Sequence, residues 1–451
     1  MRLLAVAVLA GPAGAFGGDA CGQTLEEALA AAYRLNPALE ASRASLRAVD
    51  EGVPQARAGY RPTVTAQGDI GRSENEVVSP FFGAREKRNP KNYRLSIEQP
   101  VYRGGRTAAG TRQAENLVQS GRARLLVTEQ DVLLATATAY TTVLRDQAVL
   151  ELTINNEQVL LRQLEATQDQ FEVGEVTRTD VSQAEARLAG ATAERIQAEG
   201  DLDSARAVYR NVIGESPGEL VPPGPVEGLP ATVEEAIALS EQNPDVAAAL
   251  FSEKAALDGV DLVTGELLPE VSVVGEITRG EETSARGSLS KRKLIKAQLN
   301  VPLYQAGAVY SRVREARQNA LQRRSEVEDA RRDAGEAATR AWEALETARA
   351  MILSFETQIS ANEIALEGVK QEATVGARTI LDILDAEQEL LNSQVNLVRA
   401  QRDETVAAFE LRTAIGRMTA AYLGLSVQLY DPESYYRKVR GKFWGIRVRD
   451  E

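Results

Sequence analysis

Hydrophobic and polar positions alternate in four short stretches. Val64, Ala66, Gly68 and Ile70 alternate with Thr63, Thr65, Gln67 and Asp69, and Tyr93, Leu95 and Ile97 with Arg94, Ser96 and Glu98. Val271, Val273 and Ile277 mark a third stretch; Ile295, Ala297, Leu299 and Val301, against Lys296, Gln298 and Asn300, mark a fourth. A period of two predicts strands with one polar and one apolar face. The residues between the first two stretches, through Ser79-Pro80 and Asn89-Pro90, read as turn-rich. Elsewhere the period is helical. From Thr107 to Phe171 there is no proline, and Val118, Leu125, Val132 and Ala139 fall seven apart, with Leu126, Leu133 and Tyr140 beside them. That stripe is wider than a coiled-coil seam and predicts a helix flanked on both sides. At 1.5 Å per residue the helix would be roughly 100 Å long, so it must lie in a bundle or a tube. A matching helix is expected over about Ala308 to Ala373, with return helices over about Asp180 to Val212 and Asp382 to Ile415. Shorter helices near 25–59 and 233–266 are interrupted at Asn36-Pro37 and Asn243-Pro244, because proline restricts the residue before it.

These elements occur twice. Val173 to Leu188 is a near-copy of Val375 to Leu390, with Gly174 matching Gly376, Thr177 matching Thr379, Asp180 matching Asp382 and Glu185 matching Glu387, all at an offset of 202. The same offset relates Pro100, Tyr102 and Gly105 to Pro302, Tyr304 and Gly307. An internal repeat on this scale governs the fold more than local propensity does. Each tip reads as a helix end at a glycine able to take the left-handed conformation, followed by a threonine cap and a first-turn carboxylate.

The two Asn-Pro breaks, the two Pro-x-Tyr-x-x-Gly corners and above all the run VGARTILDILDA over 375–386 resemble the TolC family of outer-membrane channel proteins, over nearly the whole chain. The resemblance implies a fold that is mainly α with a smaller β part: a long α-helical barrel and a membrane β-barrel completed by trimerisation. The strands independently ask for an oligomer. Two separated hairpins leave open edges, small membrane barrels need about eight strands or more, and three chains would supply twelve. The chain divides into a signal peptide over about 1–20, a first repeat over 21–220 (strand pair 63–102, helical hairpin 107–214) and a proline-rich linker over 221–231. A second repeat follows over 232–420 (strand pair 270–304, helical hairpin 308–416), then a basic tail over 421–451 that reads as mobile and is assigned no function.

Composition narrows the function. A net charge of −13 argues against nucleic acid as a partner. Histidine is absent and Cys21 is the only cysteine, which largely excludes zinc sites, histidine catalysis and internal disulfides. Arg2, the apolar run Leu3 to Ala10 and Ala13-Gly14-Ala15 fit a short secretory signal. After processing, Cys21 is either a passive thiol or a lipid anchor, and Gly18-Asp19-Ala20 is a poor context for the anchor. No run of roughly 18 apolar residues exists, so a membrane could be spanned only by a closed barrel. No nucleophile elbow, phosphate loop or metal cluster stands at usable spacing, so neither an enzyme nor a cofactor is expected.

The tips hold the candidate site. Asp180 and Asp382 recur in both copies, which points to capping. Asp385 does not recur, its counterpart being Gln183. In a symmetric trimer Asp382 and Asp385 would form two stacked carboxylate rings able to select or bind cations, or Asp385 would serve only the helix dipole. The resemblance implies that Asp382 and Asp385 line a closed periplasmic entrance, and that Arg378 latches it by bridging to Thr179 and Asp180. Ala373 stands where well-known members of the family have a tyrosine of that latch; Phe171 is its counterpart in the first copy. The resemblance further implies a homotrimer in outer-membrane lipid, with a long periplasmic extension. It would conduct substrates passively from an inner-membrane ABC or other transporter through a periplasmic adaptor. Protein export by a type I secretion system is favoured by the run from Leu384 to Glu404, the alternative being small-molecule efflux. A non-channel envelope coiled coil would explain the helices but not the matched strand pairs. Deleting residues 63–98 is expected to abolish membrane insertion while leaving helix content high by circular dichroism; global loss of helix would show that the layers are inseparable.

Overall fold

A computed structural model of the chain describes residues 22–447; the signal peptide expected over 1–20 and Cys21 lie outside the described residues. The elements are α1 (Leu25–Leu35), α2 (Pro37–Asp50), α3 (Gly52–Arg57), β1 (Thr63–Ile70), β2 (Ser73–Ser79), β3 (Phe82–Arg88), β4 (Lys91–Arg103), α4 (Arg106–Glu172) and α5 (Arg178–Ile213). They continue with α6 (Val233–Ser240), α7 (Pro244–Thr264), β5 (Glu270–Glu281), β6 (Leu289–Asn300), α8 (Ala308–Thr374), α9 (Ile380–Ala414) and α10 (Ser434–Val439). The two proline-free stretches are indeed single helices, α4 and α8, of 67 residues each. No described helix is long and apolar enough to cross a membrane.

The chain forms two compact units, and each draws on both copies of the repeat. The first comprises residues up to Leu35, Ala135–Pro225 and Ile352–Arg402. Its centre is a pair of fully buried tyrosines, Tyr140 and Tyr209, with ring centroids 6.4 Å apart. The Tyr140 hydroxyl lies 2.7 Å from the carbonyl oxygens of both Gln23 and Val221 and accepts the Val221 N–H at 3.1 Å. Tyr209 donates to Gln23 Oε1 at 2.9 Å. A single parallel bridge joins Gln23 to Leu220. The start of the first copy and the start of the linker are thus tied to one another over a buried polar knot whose groups find partners, as burial demands.

The second unit comprises Asn36–Leu134, Val226–Met351 and the chain from Asp403 onward. It holds a four-stranded antiparallel sheet in the order β1-β4-β5-β6. Pro100, which cannot donate to a ladder, sits at a register shift between β4 and β5, where proline is tolerated. The stretch expected to be turn-rich is instead a second hairpin, β2–β3. Opposite charges across the strands account for it: Glu74 stands opposite Lys87 and Glu76 opposite Arg85, and Glu74 also bonds Arg85. Arg88 Nη1 donates to the Thr283 carbonyl at 2.9 Å and the Arg286 N–H to Glu86 at 2.9 Å, so this hairpin is fastened to the loop of the other copy. The corner after β4 needs Gly104, at φ +60°, because an added Cβ would lie 2.2 Å from the Gly265 carbonyl oxygen. Helices α6, α8 and α9 approach closely over small side chains, with Ala236, Ala338, Ala341, Ala407 and Ala408 buried beside Leu345 and Leu411. Asn243 caps α7 through its Oδ1 and, through Nδ2, donates to the Ala414 carbonyl at 2.9 Å.

The basic tail, which the sequence marks as mobile, is docked in this same unit. Tyr436 of α10 packs on the cluster of Val53, Ala114 and Val118, and Val439 is fully buried. Tyr435 donates to Glu51 at 2.9 Å, Arg440 to Glu115 at 2.9 Å, and Arg122 to Glu433 at 2.9 Å. The cause is plain: Tyr436 meets apolar side chains and Val439 is buried, while Arg440 and Glu433 find opposite charges on α4.

Beside this docking surface Asp50 is fully buried, and neither of its carboxylate oxygens has a hydrogen-bond partner among the described residues. Desolvation pushes its carboxyl from 3.8 up to about 6, Glu51 adds to the rise, and Arg122 opposes it. The folded state therefore holds this proton more tightly than the unfolded chain. The stabilisation is complete below 3.8 and is lost as pH rises through about 6. Asp50→Asn is expected to raise Tm at pH 8, by up to ~3 kcal/mol of stability, and to change little at pH 4; equal Tm values for both proteins at pH 8 would contradict this.

Candidate functional site

Both tips lie in the first unit. Each begins where a long helix ends at a glycine of positive φ, Gly174 at +83° and Gly376 at +77°. An added Cβ would meet nothing within 4 Å at either, so conformation and not space requires glycine there. The closing bonds are the same at both. The Gly174 N–H donates to the Phe171 carbonyl at 3.0 Å and the Glu175 N–H to that of Gln170 at 2.9 Å; Gly376 donates to Ala373 at 3.0 Å and Ala377 to Glu372 at 2.9 Å. This is the pairing that satisfies the last carbonyls of a helix. Phe171 and Ala373 thus do the same backbone work with different side chains.

The next helix then starts on a reciprocal cap. Thr177 Oγ1 accepts the Asp180 N–H at 3.4 Å, and Asp180 Oδ2 accepts the Thr177 N–H at 2.8 Å and its hydroxyl at 2.7 Å. Thr379 and Asp382 repeat the arrangement, with the carboxylate accepting the Thr379 N–H at 2.9 Å and its hydroxyl at 2.8 Å. These donors hold both carboxyls below the ordinary carboxylate range. The Thr177 hydroxyl is the larger cause for Asp180, and the Thr379 backbone N–H for Asp382. Arg378 adds a smaller contribution at Asp382.

Asp385, one turn further along α9, is satisfied differently. Its Oδ1 accepts from Arg187 Nη2 of α5 at 2.5 Å. Beneath it Leu160, Ala191 and Leu384 form a buried contact of α4, α5 and α9 that fixes the two helices at this register. Arg378 Nε donates to Glu372 Oε2 at 2.8 Å, across its own turn. Among the described residues no hydrogen bond or ion pair joins Arg378 to Thr179 or Asp180 within the chain; Thr179 is exposed and Asp180 is engaged by Thr177. The buried Glu387 pairs with Lys370 at 3.0 Å.

Reading the sequence misses Arg187, although the signal is there. The positions at which the two tips differ include Asp385, against Gln183, and Arg187, against Glu389. Two of the residues that break the repeat are thus partners. No group of three or more potential metal-ligating side chains is found among the described residues.

The cap at Asp382 has a pH dependence of known sign. A carboxyl whose folded value is depressed stabilises above its ordinary value, and that stabilisation is lost as pH falls through the folded one. Thr379→Ala is expected to speed amide exchange in the first turn of α9 by roughly fivefold at pH 7, the usual order for a lost cap, with the difference shrinking as pH falls below the ordinary carboxylate range and Asp382 is protonated.

The family described as "Outer membrane efflux protein" matches residues 28–215 and 238–417. The chain is 33% identical over 455 residues to "Outer membrane efflux protein BepC" of Brucella suis biovar 1 (strain 1330), covering 100% of this chain and 97% of that protein. It is 25% identical over 391 residues to "Alkaline protease secretion protein AprF" of Pseudomonas aeruginosa, covering 82% and 79%. Among solved structures, the CmeC outer membrane channel of Campylobacter jejuni has the same fold, with a TM-score of 0.80 over 92% of this chain and 89% of that one at 16% identity.

Proposed function

The chain belongs to the outer membrane efflux protein family, and from that premise we propose that it is a passive exit duct. Three copies would close one barrel and receive cargo from an inner-membrane transporter through a periplasmic adaptor. The family and its structural neighbours are channels, and the chain's place is the outer membrane, with its helical part in the periplasm. The observation that carries the reading is the sheet order. β1 and β6 stand at the two edges of a four-stranded sheet, each with one neighbour. One face of that sheet is apolar and exposed, with Val64 at 62%, Ile295 at 84% and Leu299 at 65%. The opposite face carries Asp69, Arg94, Glu276 and Lys296. A lipid-facing apolar surface, a polar lumen and free edges of complementary hand are what a barrel shared among copies requires.

The gate we propose is the acidic tip. Asp382 and Asp385 from each copy would ring the entrance, with Arg187 offsetting the Asp385 charge, so that Asp382 supplies most of the net negative field. Arg378, with Thr179 and Asp180, would latch neighbouring copies, exchanging Glu372 for Asp180 when the entrance closes. For cargo, protein export by a type I system draws support from the secretion relative AprF and from the run over Leu384 to Glu404. The second reading, small-molecule efflux, draws support from the efflux relative BepC at 33% identity over its whole length. Removing the gene separates the two: loss of specific proteins from the culture supernatant supports the first, and hypersensitivity to drugs and detergents with an unchanged supernatant supports the second.

The gate is tested in planar bilayers. The Asp382→Ala, Asp385→Ala double variant is expected to lose cation selectivity and to raise the half-blocking concentration of a trivalent cation about tenfold, equivalent to ~1.4 kcal/mol of cation binding. Arg187→Gln should move both quantities the opposite way, and only when Asp385 is present. Unchanged selectivity and block in the double variant would leave these residues as helix caps.

A further inference from the structure

The apolar face of the sheet changes character along its strands. The strand register sets side chains in rows across that face. The row of Val64, Ile97, Gly275 and Ile295 carries no charge. The next row toward the 282–288 loop is Ala66, Leu95, Ile277 and Lys293, and the one beyond is Gly68, Tyr93, Arg279 and Lys291. In the row after that Lys91 stands opposite Glu281. Four cations, Lys91, Arg279, Lys291 and Lys293, therefore share the apolar face, gathered at the end of the sheet remote from the helices. Glu281 is the acid among them, and it is engaged by Arg279 Nη2 at 2.6 Å. Lys291 and Lys293 are exposed.

In a chain of net charge −13 this is a local excess of positive charge, on the face that meets lipid. Its position fits a membrane boundary. Tyr93, half exposed, stands in the same row as Arg279 and Lys291, and aromatic side chains of that kind mark the level of the head groups. Lysine stems can lie along the apolar band while their ammonium groups reach outward. Alternate residues on a strand are ~7 Å apart and directly paired residues ~5 Å, so a tetrahedral oxyanion fits between Lys291 and Lys293 with Arg279 beside it. Clustered cations next to an apolar belt recognise anionic head groups. A soluble phosphate would have no use for the belt.

We propose that Lys291 and Lys293, flanked by Arg279 and Lys91, bind the phosphate groups of a phosphorylated lipid in the outer leaflet around the barrel. The proposal rests on the barrel reading above but not on the gate or the cargo. The test uses full-length trimers in detergent and three probes: lipid A carrying its phosphates, the same lipid after dephosphorylation, and inorganic phosphate. Wild-type protein should bind the phosphorylated lipid, and Lys291→Gln, Lys293→Gln should bind it about 20-fold more weakly, near fivefold per lysine. The dephosphorylated lipid should bind wild type and variant equally. Lys296→Gln, on the lumen face of the same strand, should leave lipid binding unchanged. Equal affinity of wild type and double variant for the phosphorylated lipid, or no discrimination by wild type between the two lipids, would overturn the proposal. So would full competition by millimolar inorganic phosphate, which would make the site one for a free anion. Heat-modifiable gel mobility is scored in parallel. Its absence in wild type would defeat the barrel itself, whereas its presence with unchanged lipid binding would defeat only the lipid site.

Discussion

Within hydrocarbon a peptide group has no water to turn to, so every backbone N–H and C=O must find a partner in the protein. That constraint organises this chain. The sheet satisfies its interior ladders by the antiparallel pairs of β4 with β1 and β5, and of β5 with β6. What remains is a row of unpaired groups along β1 and another along β6. Such edges are tolerated in water only with protection and in lipid not at all. The strands are short and the helices long, yet the shared barrel proposed above rests on the strand edges.

At the tips the governing interaction is local. Two carboxylates three residues apart have been given different partners. Asp382 is held by neutral donors of the preceding threonine, whereas Asp385 is held by a guanidinium from another helix. The first arrangement preserves the negative charge and the second offsets it. A cap of the first kind is a property of one helix end and survives whatever the neighbouring helices do. A pair of the second kind depends on α5 and α9 staying in register over Leu160, Ala191 and Leu384, so it reports on any movement between them.

Most of the fold can be read from the residues, because long helices and two-faced strands impose strong periods and the repeat states each element twice. Both tip turns are legible for the same reason: Gly174 and Gly376, Thr177 and Thr379, Asp180 and Asp382 each occur as a pair. The residues that escape are those whose partners lie far off in sequence. The β2–β3 hairpin hides because its cross-strand pairing is of opposite charges, as at Glu74 and Lys87, and not of a regular apolar alternation in the sequence. The docked tail hides because Tyr436 and Arg440 find Val118 and Glu115 only after folding. Arg187 hides because an arginine on a helix surface reads as a solvated cation, and its partner Asp385 lies 198 residues away.

The bridge between Gln23 and Leu220 has a consequence for how the chain is made. Gln23 lies at the very beginning of the described chain, and its carbonyl, its amide and its N–H are all committed to residues between Tyr140 and Val221. Contacts of such sequence separation form slowly, because a long loop must close before they stabilise anything. A chain that emerges from a membrane pore N-terminus first therefore presents α1 to its surroundings long before Leu220 arrives. Through that interval the polar groups of Gln23 lack the partners that Tyr209, Glu219 and Val221 supply. Synthesis order thus leaves the start of the chain untied until the whole first copy of the repeat has emerged.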